Sequence, residues 1–322
     1  MKRRVFAALA FGLGGIACAA GAQDYPAKPV TMIVPSTPGG STDFAARLMA
    51  DMLSAKLGKS IVVDNRGGAS GNIGNKAAAQ AAPDGYTLLM AYSGYQVANK
   101  SLFKDPGWDP LKSFTPVALV MTAPHVVLVR KDLPVNTLAD LVAYGKNNPG
   151  KLSYASSGIG SIQHIGAEQL KRLGGFDMAH VPYRGAGPAM NDLLSGQIDL
   201  FITTPPSAVG HLQSKSVKGL AIAAAQRHPM LPEIPTSAES GLANFDLTAW
   251  FAVYAPAGTP APIVRKLAAA IESVVDSPAY RDKVVSQGAY PVYMGPEQLD
   301  AFTRKELDHW SEVIAAAGIK AE

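Results

Sequence analysis

The segment Val34-Pro35-Ser36-Thr37-Pro38-Gly39-Gly40-Ser41-Thr42-Asp43 joins a short β-rich run at 29–34 to a long helical pattern. Gly39 and Gly40 allow the backbone to approach a ligand closely, and one of the three residues after them can cap the helix. Because the first N–H groups of a helix have no partner within it, such a connection favours an oxyanion. Ordinary strand-to-helix connections have a similar composition, so this segment alone leaves both interpretations open.

A second segment of the same kind, Tyr154-Ala155-Ser156-Ser157-Gly158-Ile159-Gly160-Ser161, precedes a helical pattern over residues 162–173. It is again built of small and hydroxyl-bearing residues. Two such segments, more than a hundred residues apart in the chain, could serve one ligand if each stood at the edge of a separate lobe. We therefore expect two lobes that face a shared ligand.

The first 22 residues have the pattern of a secretory signal peptide, with cations at 2–4, an apolar run and small residues at 20–22. The mature chain is expected to begin near Gln23 and to be exported to the periplasm. Two alternatives stay open, namely an uncleaved membrane anchor and lipidation at Cys18.

Charge and cysteine content exclude several classes of protein. The chain has 322 residues, with 29 basic and 25 acidic side chains. Three of the cations lie in the leader, so the rest is close to neutral and has no basic tract of the kind that binds nucleic acid. The single cysteine also lies in the leader, so we expect no disulfide in the exported form. About 300 residues exceed the usual size of one domain, in agreement with two lobes.

Two places look like crossings between lobes. β-rich runs alternate with helical patterns along the chain, which favours α/β layering over a largely parallel sheet. The pattern predicts consecutive strands at 114–122 and 125–129, separated by Pro124, and a later strand at 248–254. We interpret these as the two passages of the chain from one lobe to the other.

The crossings predict a discontinuous first lobe, residues 23–122 plus 248–322, and an inserted second lobe, residues 123–247. Helical periodicity predicts helices at 72–82, 137–146, 188–194, 262–275 and 296–317.

The sequence offers no set of catalytic or metal-binding residues. It contains no G-x-S-x-G, H-E-x-x-H, G-x-G-x-x-G or paired C-x-x-C motif. The six histidines show no ligand spacing, so neither a metal site nor a cofactor is expected. The chemistry that the two Gly/Ser-rich segments favour is binding.

Eight short motifs together resemble the periplasmic solute-binding proteins of tripartite tricarboxylate transporters, also called the Bug receptors. Each motif is individually weak, but their order and spacing are specific and cover essentially the whole mature chain. They are the segments 35–43, 64–66 with 71–74, 82–88, 148–152 with 154–158, 180–185, 196–199, 231–236 and 255–260.

This resemblance implies a two-lobed, type II-like Venus-flytrap fold that closes on a small organic acid. Loops of the first lobe would hold a ligand carboxylate through backbone N–H groups and hydroxyls, and the second lobe would complete the site. The implied first-lobe residues are Ser36, Thr37, Gly40, Ser41, Thr42, Ser70, Asn72 and Ser93. The implied second-lobe residues are Ser156, Ser157, Gly158, Ser161, Tyr183 and Thr203.

Two departures from the family pattern bear on the ligand. Ser36 stands where the family often has Phe, and Thr203 stands where it often has an acidic residue. The pocket should therefore be polar but lack a carboxylate for a ligand ammonium, which favours a dicarboxylate or a hydroxylated acid over an amino acid.

The expected function is a monomeric, non-catalytic periplasmic receptor that delivers a carboxylate to membrane transporter subunits. An enzyme on the same scaffold is disfavoured because no acid, base, nucleophile or metal set can be named. A sensory subunit that docks on a membrane signalling protein would use the same binding chemistry and differ in its partner.

Overall fold

A computed structural model of the chain describes residues 25–319. The predicted signal peptide, the expected start near Gln23 and Cys18 all lie outside these residues. Within them, no helix has both the length and the apolar composition that crossing a membrane requires.

The described residues form an α/β structure with ten strands in one continuous sheet. The strands are β1 (Val30–Val34), β2 (Ile61–Asn65), β3 (Thr87–Tyr92), β4 (Phe114–Arg130), β5 (Ser153–Ser156), β6 (Ala179–Pro182), β7 (Leu200–Thr203), β8 (Val217–Ala223), β9 (Thr248–Pro256) and β10 (Tyr290–Met294). The helices are α1 (Ser41–Leu57), α2 (Asn72–Ala79), α3 (Ser93–Leu102), α4 (Leu138–Asn147), α5 (Ile162–Gly174), α6 (Ala186–Leu194), α7 (Val209–Gln213), α8 (Ala261–Val275), α9 (Pro278–Ser286) and α10 (Pro296–Ala317).

One half of the sheet is centred on β1. This strand pairs in parallel with β2 and β3, and β9 and β4 extend the sheet in antiparallel pairing. β10 pairs with β4. The pairing of β4 with β9 ends at Pro124, opposite Thr248. We call β1, β2, β3, β9, β10 and β4 up to Pro124 the first half-sheet.

From His125 onward, β4 pairs with β7 and β8 instead. β5 lies between β7 and β6 and is parallel to both. These strands, with β4 from His125, form the second half-sheet. The two strands expected on either side of Pro124 are thus one strand. Proline is tolerated inside it because it stands where β4 exchanges one set of partners for another.

The second half of β4 contributes to two separate cores. Val127 and Val129 belong to the larger apolar cluster, whereas Val126 and Leu128 belong to a smaller one. Successive side chains of a strand point to opposite faces, so the second half-sheet is covered on both sides. This double coverage makes it a rigid support for the loops at its edge.

Helix boundaries agree with periodicity where a capping signal is present. The helix predicted at 296–317 is confirmed, and the helix at 137–146 begins one residue later because Thr137 is its N-cap within a capping box. The helix expected to reach residue 82 ends at Ala79, before the turn that leads into β3. The sequence analysis did not identify α3, α7, α9 or β10.

Candidate ligand-binding site

A small cavity lies between the edges of the two half-sheets. Ser36 follows β1, Tyr92 ends β3, Ser157 follows β5 and Thr203 ends β7, so the cavity faces the carboxyl ends of four strands. This is the usual position of a ligand in an open α/β sheet. Its volume is about 20 Å³, roughly the space of one water molecule. A larger ligand therefore requires the two sides of the cavity to separate.

Two walls enclose this cavity, one from each half-sheet. The first wall consists of Ser36, Gly40, Ser41, Thr42, Tyr92, Tyr95 and Phe251. The second wall consists of Ser157, Gln163, Ala186, Thr203 and Thr204. None of these described lining residues carries a charged side chain. What the walls present is a set of uncharged donors and acceptors beside aromatic and methyl groups.

The N-terminus of α1 forms the polar part of the first wall. Gly40 is its N-cap, and the N–H groups of the first turn have no partner within the helix. Because α1 is 17 residues long, its dipole adds to the attraction of these donors for an anion. Gly40 also lies against the second wall, since a Cβ there would lie 3.2 Å from the Ala186 Cβ.

Asp43 fixes the loop in front of α1 without facing the cavity. Its carboxylate accepts hydrogen bonds from the Gly39 N–H at 3.1 Å, from Arg47 at 3.0 Å and from Asn65 at 2.9 Å. Burial acts to raise the pKa of Asp43, but these hydrogen bonds outweigh it and hold the pKa below its ordinary value. The ionised carboxylate thus positions Gly39 and Gly40.

Two hydroxyls of the first wall remain able to donate to a ligand. The Ser36 hydroxyl is buried and finds no hydrogen-bond partner among the described residues. The Ser41 hydroxyl accepts a hydrogen bond of 2.6 Å from Thr204 of the second wall, so its own proton is directed elsewhere. An unpartnered buried hydroxyl is costly, and a ligand oxygen in the cavity would relieve that cost.

The loop before α5 uses most of its hydroxyls internally. Ser156 and Ser161 both donate to the Gly158 carbonyl oxygen, at 3.0 and 2.8 Å. The Ser161 hydroxyl also caps α5 by accepting from the His164 N–H. His164 in turn accepts from the Gly160 N–H at 2.9 Å. This network makes the loop rigid and leaves Ser157 as the residue of the loop that lines the cavity.

Hydrogen bonds between the walls meet at Gln163 and Ser157. Gln163 Oε1 accepts from the Tyr92 hydroxyl at 3.1 Å and from the Ser157 hydroxyl at 3.0 Å. The Tyr95 hydroxyl donates to the Ser157 carbonyl oxygen at 2.9 Å. Burial raises the pKa of Tyr95 to about 12 and that of Tyr92 well above its ordinary value. Both phenols therefore stay protonated and act as donors.

The structure brings six of the fourteen predicted site residues to the cavity lining: Ser36, Gly40, Ser41, Thr42, Ser157 and Thr203. The other eight lie outside the lining, and the hydrogen bonds of most of them explain why. These eight are Thr37, Ser70, Asn72, Ser93, Ser156, Gly158, Ser161 and Tyr183.

Three of those eight belong to the first half of the molecule and hold other elements in place. Asn72 Oδ1 accepts from Asn99 at 2.7 Å and from Trp108 at 2.9 Å. Ser93 accepts from the Trp250 N–H at 3.2 Å. Ser70 reaches across to the other half and donates to the Ile159 carbonyl oxygen at 2.7 Å. Their side chains support the site rather than line it.

The remaining five are placed by local geometry. Ser156 and Ser161 bind the Gly158 carbonyl oxygen, as described above. Gly158 itself packs against Ser70, where a Cβ would lie 2.7 Å from the serine oxygen. Tyr183 donates to Asp192 at 2.5 Å. Thr37 is half-buried, and its hydroxyl oxygen is buried without a partner among the described residues.

Six lining residues were not predicted: Tyr92, Tyr95, Gln163, Ala186, Thr204 and Phe251. Thr204 directly follows the predicted Thr203, and Gln163 lies two residues after the predicted Ser161. A wider window around those two positions would have included them. Tyr95 lies in α3, which the sequence analysis did not identify. Phe251 lies inside a strand, and nothing in its local sequence marks it as a ligand contact.

Among residues 25–319, no group of three or more His, Cys, Asp or Glu side chains is placed to hold a metal ion. The histidines nearest the site, His164 and His180, stack on each other with ring centroids 4.1 Å apart. His180 contacts the Ser156 hydroxyl at 2.6 Å. Burial, with a contribution from His164, lowers the pKa of His180 to about 4. The pair is therefore neutral at ordinary pH and belongs to the frame of the second loop.

Comparison with known proteins gives a consistent result. The family model described as tripartite tricarboxylate transporter family receptor matches residues 45–319. The protein BugT of Bordetella pertussis is 38% identical over 307 residues, which cover 95% of this chain and 94% of BugT.

Two solved structures share the fold closely. The periplasmic binding protein BugD is 37% identical, with a TM-score of 0.89 over 92% of this chain and 99% of BugD. An R. palustris protein solved with adipate is 36% identical, with a TM-score of 0.90 over 92% of this chain and 99% of that protein. The chain therefore has the mixed α/β periplasmic binding protein fold and belongs to the tripartite tricarboxylate transporter family of solute receptors.

Proposed function

We propose that this receptor binds a small carboxylate in the cavity between its two walls. The observation that carries the proposal is the first wall, where the unpaired N–H groups of α1 and the unpartnered Ser36 hydroxyl face an uncharged cavity. Uncharged donors can hold a carboxylate without the desolvation cost of a buried arginine or lysine. The relative solved with adipate supports the same chemical class for this chain.

The receptor is proposed to be exported, with its signal peptide removed, and to deliver its ligand as a monomer to membrane subunits of a transporter. Two features favour a carrier over an enzyme. The walls carry no acid or base with a pKa near neutrality, and the family and its structural neighbours are periplasmic binding proteins. Mass spectrometry of the periplasmic form tests export, with a start near residue 23 as the expected result.

Ligand entry is proposed to use a hinge at the two strands that join the half-sheets. β4 changes partners between Pro124 and His125, opposite the start of β9 at Thr248. These positions support the proposed division into residues 23–122 plus 248–322 and residues 123–247. Small-angle scattering should show compaction on adding ligand. An unchanged radius of gyration with binding confirmed would exclude the hinge.

Calorimetric titration with succinate, malate, citrate, adipate, aspartate and glutamate tests the function. We expect a dicarboxylate without an ammonium group to bind most tightly. A ligand at 100 times its Kd should stabilise the fold by about 2.7 kcal/mol in a thermal unfolding experiment. The amino acids serve as controls of the same size that add an ammonium group. Tightest binding by aspartate or glutamate would contradict the expected preference for an acid without an ammonium group, and binding of none of the acids would contradict the proposed function.

A further inference from the structure

Gln163 stands out among the lining residues because its two polar atoms are used so differently. It is 5% exposed and lies in the second wall. Its Oε1 accepts two hydrogen bonds, from Tyr92 and Ser157. Both acceptor positions of that oxygen are thus occupied. Among the hydrogen bonds of the described residues none uses Gln163 Nε2, so the two N–H donors of the amide remain available.

The place of Gln163 on its helix adds to this donor character. It is the second residue of α5, a helix of 13 residues whose N-cap is Ser161. The N-terminal end of a helix carries partial positive charge. Two charged residues further along α5, Glu168 and Lys171, bind each other at 3.0 Å and do not line the cavity. The second wall therefore presents N–H donors and a favourable dipole to the ligand.

The orientation of the amide is set from both halves of the molecule. Tyr92 belongs to the first wall and Ser157 to the second, and both hydroxyls converge on Oε1. When the walls separate for a ligand larger than one water molecule, the hydrogen bond from Ser157 remains, because Ser157 and Gln163 both lie in the second wall. This bond keeps the amide oriented toward the cavity. The N-terminus of α1 lies in the first wall and the Gln163 amide in the second, so donors face the cavity from both sides.

We propose that Gln163 is the specificity-determining residue for the second carboxylate of a dicarboxylate ligand, an inference that rests on the proposed function. Its Nε2 donates to the distal carboxylate while the N–H groups of α1 hold the proximal one. A monocarboxylate of the same chain length leaves the Gln163 donors unpaired. The receptor should therefore distinguish ligands by the presence of the second acid group.

The test compares matched ligand pairs, succinate with butyrate and adipate with hexanoate, by calorimetry. In Gln163→Leu we expect dicarboxylate affinity to fall at least tenfold while monocarboxylate affinity changes less than threefold. Gln163→Glu should lower dicarboxylate affinity further through repulsion. Gln169→Leu is the matched control, since it lies on the same helix, donates to the Asn244 carbonyl oxygen and does not line the cavity.

The outcomes distinguish failure of the role proposed for Gln163 from failure of the proposed function. Selective loss of the dicarboxylates in Gln163→Leu, with Gln169→Leu unchanged, supports the role of Gln163. Equal loss for both ligand classes, or no loss, overturns it while leaving the carboxylate receptor intact. Absence of binding by the wild-type protein to all four acids overturns the proposed function itself. Gln163→Asn, which keeps the amide but retracts it, covers the case in which the leucine variant does not fold, and it too should lose dicarboxylates selectively.

Discussion

The two Gly/Ser-rich loops, 34–43 and 154–161, have similar compositions and different structural roles. In the first loop the Gly40 backbone and the Ser36 and Ser41 side chains line the cavity with donors that remain available. In the second, Ser156 and Ser161 are tied to the Gly158 carbonyl oxygen. The first loop has donors without partners at the cavity, whereas the second is held rigid by its own hydrogen bonds and places Ser157 in the lining. Hydroxyl content alone therefore does not identify a contact residue.

The largest effect is expected from a substitution at Gly40, where the first wall lies against Ala186 of the second. Gly40→Val adds a branched side chain at a position where even a Cβ would lie 3.2 Å from the Ala186 Cβ, so the added methyl groups hold the walls apart. We expect ligand affinity to fall more than a hundredfold with little change in melting temperature. Gly210→Val is the matched control, because a Cβ at Gly210 meets nothing within 4 Å. Near-wild-type affinity in Gly40→Val would place the ligand elsewhere.

Lowering the pH should reduce the unfolding free energy of the protein through His125, which begins the second half of β4. Burial lowers the pKa of His125, which is 0% exposed, to about 4, against 6.5 in the unfolded chain. Between these values the unfolded chain binds a proton that the folded chain does not, so stability is complete above pH 6.5 and falls as the pH drops. We expect about 2 kcal/mol less unfolding free energy at about pH 5 than at about pH 7 from this residue.

Urea denaturation at the two pH values measures this effect. His125 Nδ1 lies 3.0 Å from the Leu247 carbonyl oxygen, and His125→Asn can retain that donor without a titrating ring. The variant should show a flatter dependence on pH than the wild-type protein. An identical dependence in both would show that His125 does not carry the effect.

A pair of serines sharpens the contrast between the loops. Ser41→Ala removes a hydroxyl from the cavity, and we expect about tenfold weaker ligand binding. It also removes the acceptor of the Thr204 hydroxyl, so the unfolding free energy should fall by about 1 kcal/mol. Ser161→Ala removes the N-cap of α5, and we expect about 1 kcal/mol lower unfolding free energy with affinity changed less than about threefold. Calorimetry and urea denaturation of both variants separate the effects. The reverse pattern would mean that the roles of the loops are exchanged.

The smallest expected effect concerns the contacts that hold the walls together. Tyr95→Phe removes the hydrogen bond to the Ser157 carbonyl oxygen and keeps the ring in place. A hydrogen bond of this kind contributes about 1 kcal/mol, so we expect ligand affinity to fall by roughly fivefold through weaker closure. Tyr86→Phe is a control, since the Tyr86 hydroxyl accepts from the Ala27 N–H far from the cavity. Equal effects of both variants would exclude a role for Tyr95 in closure.

The sequence predicted those helices and strands whose start, end and periodicity are set by residues close together in the chain. The helix α10 follows its periodicity and its proline start. By contrast, α9 was missed although Ser277 caps it and Pro278 opens it, because its apolar residues do not recur at a helical period. The strand β4 was divided at Pro124 because the exchange of partners at that residue depends on strands distant in sequence.

The same distinction applies to the site. Gly40 and its neighbours were predicted because a strand, two glycines and a helix start are adjacent in the sequence. Tyr92 and Gln163 were not, because what brings them together is a hydrogen bond across 71 positions of the chain. Asn72 was predicted as a contact, but the structure gives it Asn99 and Trp108 as partners. The sequence identifies loops with the composition of a binding loop. Tertiary contacts decide which of their side chains line the cavity.

The central claim is that a carboxylate lies between the two walls. A crystal structure with bromosuccinate, recorded at the bromine absorption edge, tests it most directly. We predict an anomalous peak between Gly40 and Gln163, with one carboxylate at the start of α1. A peak confined to another place, such as the groove that contains Trp250 and Trp310, with none between the walls, would contradict the account.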